Sequence, residues 1–265
     1  MFEESLLRVL VVREIAGPSP ASYDTLWCLI VLHAKPEPIV LSWSGGKDSS
    51  LTLAALRADP RYEVVALLTS VTREYDRVSI HGVRRALLHA QAAAIGLPLV
   101  EIELEPRSSN AAYEAAFLAA LSQVRARFPE ARTIAFGDLF LEDVRAYRER
   151  TLSSTGFAPL FPIWGRDTRE LAHVFIDAGF VAHLVCVDTQ QLSARFAGRQ
   201  FDRSLLNDLP AGIDPCGERG EFHTFVSAGP IFDAEIPVTR GEVVLRDDRF
   251  AFCDIMPAIA AQVER

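Results

Sequence analysis

An apolar run that ends in two glycines, a lysine and an aspartate is built to trap an anion, and residues 38–58, PIVLSWSGGKDSSLTLAALRA, contain one. Gly45 and Gly46 can take backbone conformations closed to other residues and leave room for a phosphate. Successive backbone N–H groups at the start of a following helix then point at the anion. Lys47 adds a positive charge, and Ser42, Ser44, Ser49 and Ser50 add hydroxyls. Asp48 would repel a bare phosphate, so its expected work is to orient a donor, contact Mg2+ or cap the helix. The Walker pattern G-x-x-x-x-G-K-[ST] is excluded: no glycine stands five places before Gly46, and Asp48 follows the lysine.

Two later stretches are as dense in chemistry. Residues 136–167, FGDLFLEDVRAYRERTLSSTGFAPLFPIWGRD, place Gly137 and Asp138 at a strand end. Glu142, Arg145 and Glu149 then fall at i, i+3 and i+7 on one helix face. That face is either a solvated ion-paired surface or, with Arg148, a substrate contact. Residues 212–226, GIDPCGERGEFHTFV, hold a thiol, an imidazole and several carboxylates. Glu218 and Glu221 are suited to bind Mg2+, grip an ammonium group or serve as a base. Acidic neighbours raise the pKa of Cys216, which favours a structural thiol over a nucleophile. His223 is open between base, core hydrogen-bonder and surface group; His81 and Arg84 are open between nucleotide neighbours and surface groups.

These residues need a frame. Residues 39–42 read as a buried strand, 47–58 as a helix, and 63–71, EVVALLTSV, as a strand covered on both faces. A helix over 83–95 ends at Gly96 and Pro98. A strand over 99–104 follows, then a helix capped by Ser109 or Asn110 and running to about 128. The fourth strand is 132–137. Alternation of this kind specifies βαβ units in a parallel sheet with right-handed crossovers, in which ligands bind beyond the carboxyl ends of the strands. After about 155 the spacing changes. Asp167 or Thr168 starts a helix closed by Gly179, FVAHLVCV is a further strand, and short strands follow Phe225. The expected division is an N-terminal extension over 1–37, a nucleotide-binding domain over 38–155 and a smaller α/β domain over 156–265.

The motif SGGKDS resembles the PP-loop of the N-type ATP pyrophosphatases, in the adenine nucleotide α-hydrolase-like group. That resemblance implies a doubly wound parallel sheet binding ATP through Ser42, Ser44, Gly45, Gly46, Lys47, Asp48, Ser49, Gly137 and Asp138, with cleavage between the α- and β-phosphates. Taken with GDLFLEDVRAYRE, PLFPIWGRD and CGERGEFHTFV, the chain resembles the diphthine–ammonia ligase family over roughly residues 38–232. The family's chemistry implies a carboxylate, borne in that family by elongation factor 2, that is adenylated with release of pyrophosphate and then amidated by ammonium. Lys47, Asp48, Glu218 and Glu221 would be catalytic, with Asp48 as the Mg2+ contact. Arg145, Arg148, Glu149, Cys216, Gly217, Glu218, Glu221 and Thr224 would meet the substrate. Arg219 stands where the family pattern has a glycine, and residues 1–37 have no counterpart. Two other classes remain: a PP-loop enzyme modifying tRNA, and a nucleotide-binding module without catalysis.

Composition bounds these readings. A net charge of −8 and a pI near 5.3 argue against broad nucleic-acid binding, which needs cations to neutralise phosphates. Cys28, Cys186, Cys216 and Cys253 form no C-x-x-C pair, which argues against zinc ribbons and thioredoxin-like redox sites and fits a reducing cytoplasmic setting. No apolar run approaches the roughly 20 residues that cross a bilayer, and Glu3 and Glu4 stand where an export signal would be basic.

Overall fold

The computed structural model describes residues 35–79 and 81–258. Most of the N-terminal extension, including Cys28, lies outside them. Parallel pairing joins β1 (Glu37–Ser42), β2 (Tyr62–Thr72), β4 (Leu99–Leu104), β5 (Thr133–Ala135) and β6 (Ala158–Leu160) in the spatial order β4-β2-β1-β5-β6. A two-residue antiparallel strand, β3 (Arg77–Val78), extends β2 past the end of β1. The chain winds outward from β1 through β2 to β4, then returns to the other side of β1 as β5. The order reverses between β1 and β5, and a crevice opens beyond their carboxyl ends.

Helices cover both faces because the strands are apolar on both. Ile39 and Leu41 of β1 enter one core and Val40 the other, the period-two alternation of a strand. The first core receives Leu51, Leu53 and Leu56 of α1 (Lys47–Ala58) and Leu87, Leu88 and Ile95 of α2 (Arg85–Ile95). The second receives Phe117, Leu121 and Val124 of α3 (Asn110–Arg127). The expected stops and starts are present. Gly96 takes a left-handed conformation after α2, and the Ser109 hydroxyl accepts from the Ala112 N–H at the start of α3.

α4 (Glu142–Leu152) and α5 (Thr168–Asp177, capped by Asp167) lead into a second, antiparallel sheet. Its order is β8-β7-β10-β9, from β7 (Val181–Asp188), β8 (Phe222–Ala228), β9 (Val238–Arg246) and β10 (Phe250–Pro257), with a short α6 (Arg203–Asp208) between β7 and β8. The strands expected after Phe225 are long, nine and eight residues for β9 and β10. The first core continues without a break into this sheet through Phe175, Leu184, Phe201, Phe225 and Ile255. Polar ties add to it: Arg57 of α1 donates to the carbonyls of Ile231 and Ile95, both at 2.8 Å, and Asp254 of β10 accepts from Arg77 and Arg84. Among the described residues no helix is long and apolar enough to cross a membrane.

Candidate active site

The loop after β1 turns at Gly45, whose φ of +78° favours glycine; a Cβ there would lie 2.6 Å from Gln91 Oε1. Two elements hold the turn. The Gly45 carbonyl accepts from the Val226 N–H of β8 and from Gln91 Nε2 of α2, each at 2.9 Å. The Lys47 N–H donates to Thr224 Oγ1 at 3.0 Å. Gln91 also donates to the Val226 carbonyl and accepts from Trp43 Nε1, so this fully buried amide joins the loop after β1 to α2 and β8 at one point. Gly46 at the N-cap has no side chain to offer, so apart from the Lys47 N–H held by Thr224 the first turn of α1 opens into the crevice with the N–H groups of Asp48 and Ser49.

Two adjoining cavities meet at this loop. The smaller, of about 260 Å³, is polar and is lined by Ser44, Gly46, Lys47, Asp48, Gly137, Glu218 and neighbouring residues. The larger, of about 530 Å³, has apolar walls from Trp43, Leu68, Val78, Ile102 and Phe117, with Thr69 and Tyr147 among its polar edges. Ser42, Ser44, His81, Phe136 and Arg148 line both and so form the neck between them.

Lys47 is buried, with only 2% of its surface exposed. Its ammonium sits 2.8 Å from each Asp48 carboxylate oxygen and about 6 Å above the rings of Phe201 and Phe222. Burial alone would lower its pKa; the Asp48 carboxylate beside it holds it above the ordinary lysine value. Across the cavity, Gly137 lets the loop after β5 approach α1: a Cβ there would lie 3.0 Å from the Asp48 carbonyl carbon and from Thr52 Oγ1. Burial raises the Asp138 pKa against the pull of Arg148, whose Nε lies 3.5 Å from Asp138 Oδ2 without hydrogen-bond geometry. The Arg148 guanidinium lies 4.9 Å over the Phe136 ring.

The loop 212–221 closes the cavity from the other side. Glu218 accepts from the Leu139 N–H at 2.8 Å, and burial pushes its pKa up to about 7 despite that bond. Glu221, 1% exposed, accepts from the N–H groups of Asp214 and Arg219 and does not line the cavity. Cys216 and Gly217 line it. The Cys216 thiol donates to the Thr168 carbonyl at 3.2 Å, and burial pushes its pKa up, so it anchors the start of α5 and is held as a thiol. Arg219 has no positive φ and therefore does not need the freedom of a glycine.

Arg145 and Glu149 are apart from this centre. They bond each other at 2.9 Å, and Arg145 stacks on Phe161 and Trp164 outside both cavities. Arg84 pairs with Asp254 at 2.5 Å and lines neither cavity. His81 and His223 do line the site, stacked on each other at 4.5 Å. Burial lowers the His81 pKa to about 4 and drives that of His223 well below the usual value, so both rings are neutral at pH 7. Gln91, Trp43, Tyr147 and Phe222 line or brace the cavities though local patterns did not expose them; Gln91 read only as one position of the helix over 83–95. Among the described residues no group of three or more His, Cys, Asp or Glu side chains forms a metal site.

A family model described as the diphthamide synthase N-terminal domain matches residues 38–159, and one described as the diphthamide synthase C-terminal domain matches 167–259. Among curated proteins, a Schizosaccharomyces pombe protein named diphthine–ammonia ligase is 25% identical over 218 residues, which cover 76% of this chain and 36% of that relative. The Homo sapiens protein of that name is 26% identical over 229 residues, covering 78% of this chain and 85% of the relative. The Danio rerio protein of that name is 25% identical over 232 residues, covering 78% and 89%. The loops after β1 and β5 fall in the first matched region and the loop 212–221 in the second, so both sides of the crevice lie within one pattern, and the chain belongs to the diphthamide synthase family.

Proposed function

We propose that the protein is an ATP-dependent ligase of the diphthine–ammonia ligase type. It adenylates a carboxylate, releases pyrophosphate, and converts the acyl-adenylate to an amide with ammonia. The observation that carries this reading is the pair of cavities joined at a neck beside the loop 44–49. Adenine and ribose suit the larger, apolar-walled cavity, and the outer phosphates suit the smaller one, with its lysine and helix N-terminus. The α-phosphate then lies at the neck, between Ser42, Ser44, His81 and Arg148.

The chemistry follows from that placement. The carboxylate oxygen bonds the α-phosphorus as the α–β bridging bond breaks. Negative charge grows on the pyrophosphate, where the Lys47 ammonium and the N–H groups of Asp48 and Ser49 are already in place; such preorganised donors are worth most in a closed site. Arg148 balances charge at the neck and Asp138 orients it. Ammonia then bonds the acyl carbon, the carbon–oxygen bond to AMP breaks, and the nitrogen loses a proton. Glu218, with a pKa of about 7, is suited to take it. Glu221, with both oxygens on backbone N–H groups, shapes the loop that presents Glu218.

Mg2+ commonly binds through one or two carboxylates plus substrate phosphates. The residues fit that pattern: Asp48 and Asp138 face the phosphate cavity, and Asp138 Oδ2 is buried without a hydrogen-bond partner. When bound, the ion would neutralise phosphate charge.

The test is to incubate the protein with Mg-ATP, isotopically labelled ammonium and candidate carboxylates, diphthine-bearing protein included, and to separate the products. AMP, pyrophosphate and a labelled amide are expected. ADP and phosphate would overturn the reading.

A further inference from the structure

The outer edge of the second sheet goes beyond the nucleotide site. β9 hydrogen-bonds β10 on one side, and no strand of the described residues pairs with its other side. The opposite edge, β8, is covered by the Gly45 turn. At the centre of β9, Val243, Val244 and Leu245 are 42%, 44% and 55% exposed, three of the five exposed large apolar residues among those described. Alternation puts Val243 and Leu245 on one face and Val244, with Glu242 and Arg246, on the other. Both faces of an unpaired strand are thus apolar at one place, a template for pairing with another chain. Neither the Glu242 nor the Arg246 side chain has an ion-pair partner among the described residues, whereas the charged residues of the open edge at β4 are already engaged: Arg85 pairs with Glu101 and Glu103.

We infer that two copies of this chain pair antiparallel through β9, about a twofold axis at Val244. The sequence 242–246, Glu-Val-Val-Leu-Arg, is self-complementary in that register alone. Val244 meets its own copy, Val243 meets Leu245, and Glu242 meets Arg246, each of the last two pairs occurring twice. A twofold axis normal to the sheet keeps each residue on its face, so the neighbouring registers centre on Val243 or Leu245. The first sets Glu242 opposite Val244 and the second sets Arg246 opposite Val244, so in each the charged ends of the segment face an apolar residue and gain no opposite charge across the pair. Directly opposed like charges destabilise a strand pair, and opposite charges support it. The contact is isologous and closes at two copies, joining two four-stranded sheets into one of eight.

Sedimentation velocity over a concentration series reaching hundreds of micromolar tests this. The unaltered protein is expected to pass from monomer to dimer. Glu242→Arg and Arg246→Glu, each alone, set like charges opposite each other and should raise the dimer dissociation constant on the order of tenfold or more. The double variant restores the opposite pairs and should restore the dimer. Val244→Lys puts two ammonium groups at the axis and should abolish it. Circular dichroism melts confirm that each exposed-site variant folds. A protein that stays monomeric throughout, single charge variants that still dimerise, or a folded double variant that does not, would each overturn the proposal.

Discussion

At the residue scale, the lysine of the phosphate loop is the central fact: a fully charged ammonium, buried, with one carboxylate beside it. Lys47→Ala should lower kcat by roughly 10²–10³, the usual cost of removing one preorganised donor to a developing anion, with AMP release as the readout. Glu218 carries the pH dependence. Burial raises its pKa to about 7, so as a base it becomes competent as pH rises through 7, and the ammonia-dependent rate should rise over the same interval. Glu218→Gln keeps an acceptor for the Leu139 N–H and should remove that limb of the profile. The stability sign runs the other way. A carboxyl whose folded pKa lies above its unfolded value holds its proton more tightly when folded, so its contribution falls as pH climbs from the ordinary carboxylate range to about 7. The Gln variant should flatten that decline in a set of melts across pH.

At the element scale, the loop is held by its neighbours more than by itself. Gln91 of α2 satisfies a carbonyl of the turn, a carbonyl of β8 and the indole N–H of Trp43. Gln91→Leu keeps the volume and leaves buried polar groups without partners, each costing about 1–3 kcal/mol. Urea unfolding should show a loss of roughly 2–4 kcal/mol, and the KM for ATP should rise as the turn loosens. The hairpin of β9 and β10 is tied to β7 by Arg249, bonded to Asp188 at 2.6 and 2.9 Å. The Arg249 guanidinium beside Asp188, aided by Gln191, holds that carboxyl well below the usual range. A depressed carboxyl contributes stability above its unfolded pKa and loses it as pH falls through the folded one. Asp188→Asn should therefore destabilise the protein at neutral pH, and the loss should shrink in strong acid, as melts at pH 7 and pH 3 would show.

At the scale of the whole molecule, the first core runs from the parallel sheet through α1 and α2 into the antiparallel one. Elements that share a core unfold together. Calorimetry should show one transition across both family regions, shifted upward by ATP because the ligand binds only the folded crevice. A fragment ending near residue 160 would leave α1 and α2 with an uncovered apolar face and should not give that transition. The second sheet therefore both supports the phosphate loop, through Val226 and Thr224, and presents β9 to a second copy.

Much was legible in the sequence because it is local. The period-two and helical patterns located β1, α1, α2 and α3, glycine and proline marked their ends, and SGGKDS after an apolar strand marked the turn that lines the polar cavity. Right-handed crossovers set which face of the sheet each helix covers, while the return from β4 to the far side of β1 is seen only in the strand pairing. What tertiary structure alone decided depends on contacts between distant residues. Thr224 meets the N–H of Lys47 across 177 positions, Gln91 clamps a turn 46 residues away, and Glu221 turns into its own loop while Glu218 faces the cavity. Arg148 reaches the neck while Arg145, on the same helix, stacks outside it. Spacing along a chain says which residues share a face of one element; only packing says what that face meets, since burial, with the pKa shifts and hydrogen-bond partners it imposes, belongs to the fold and to no single segment.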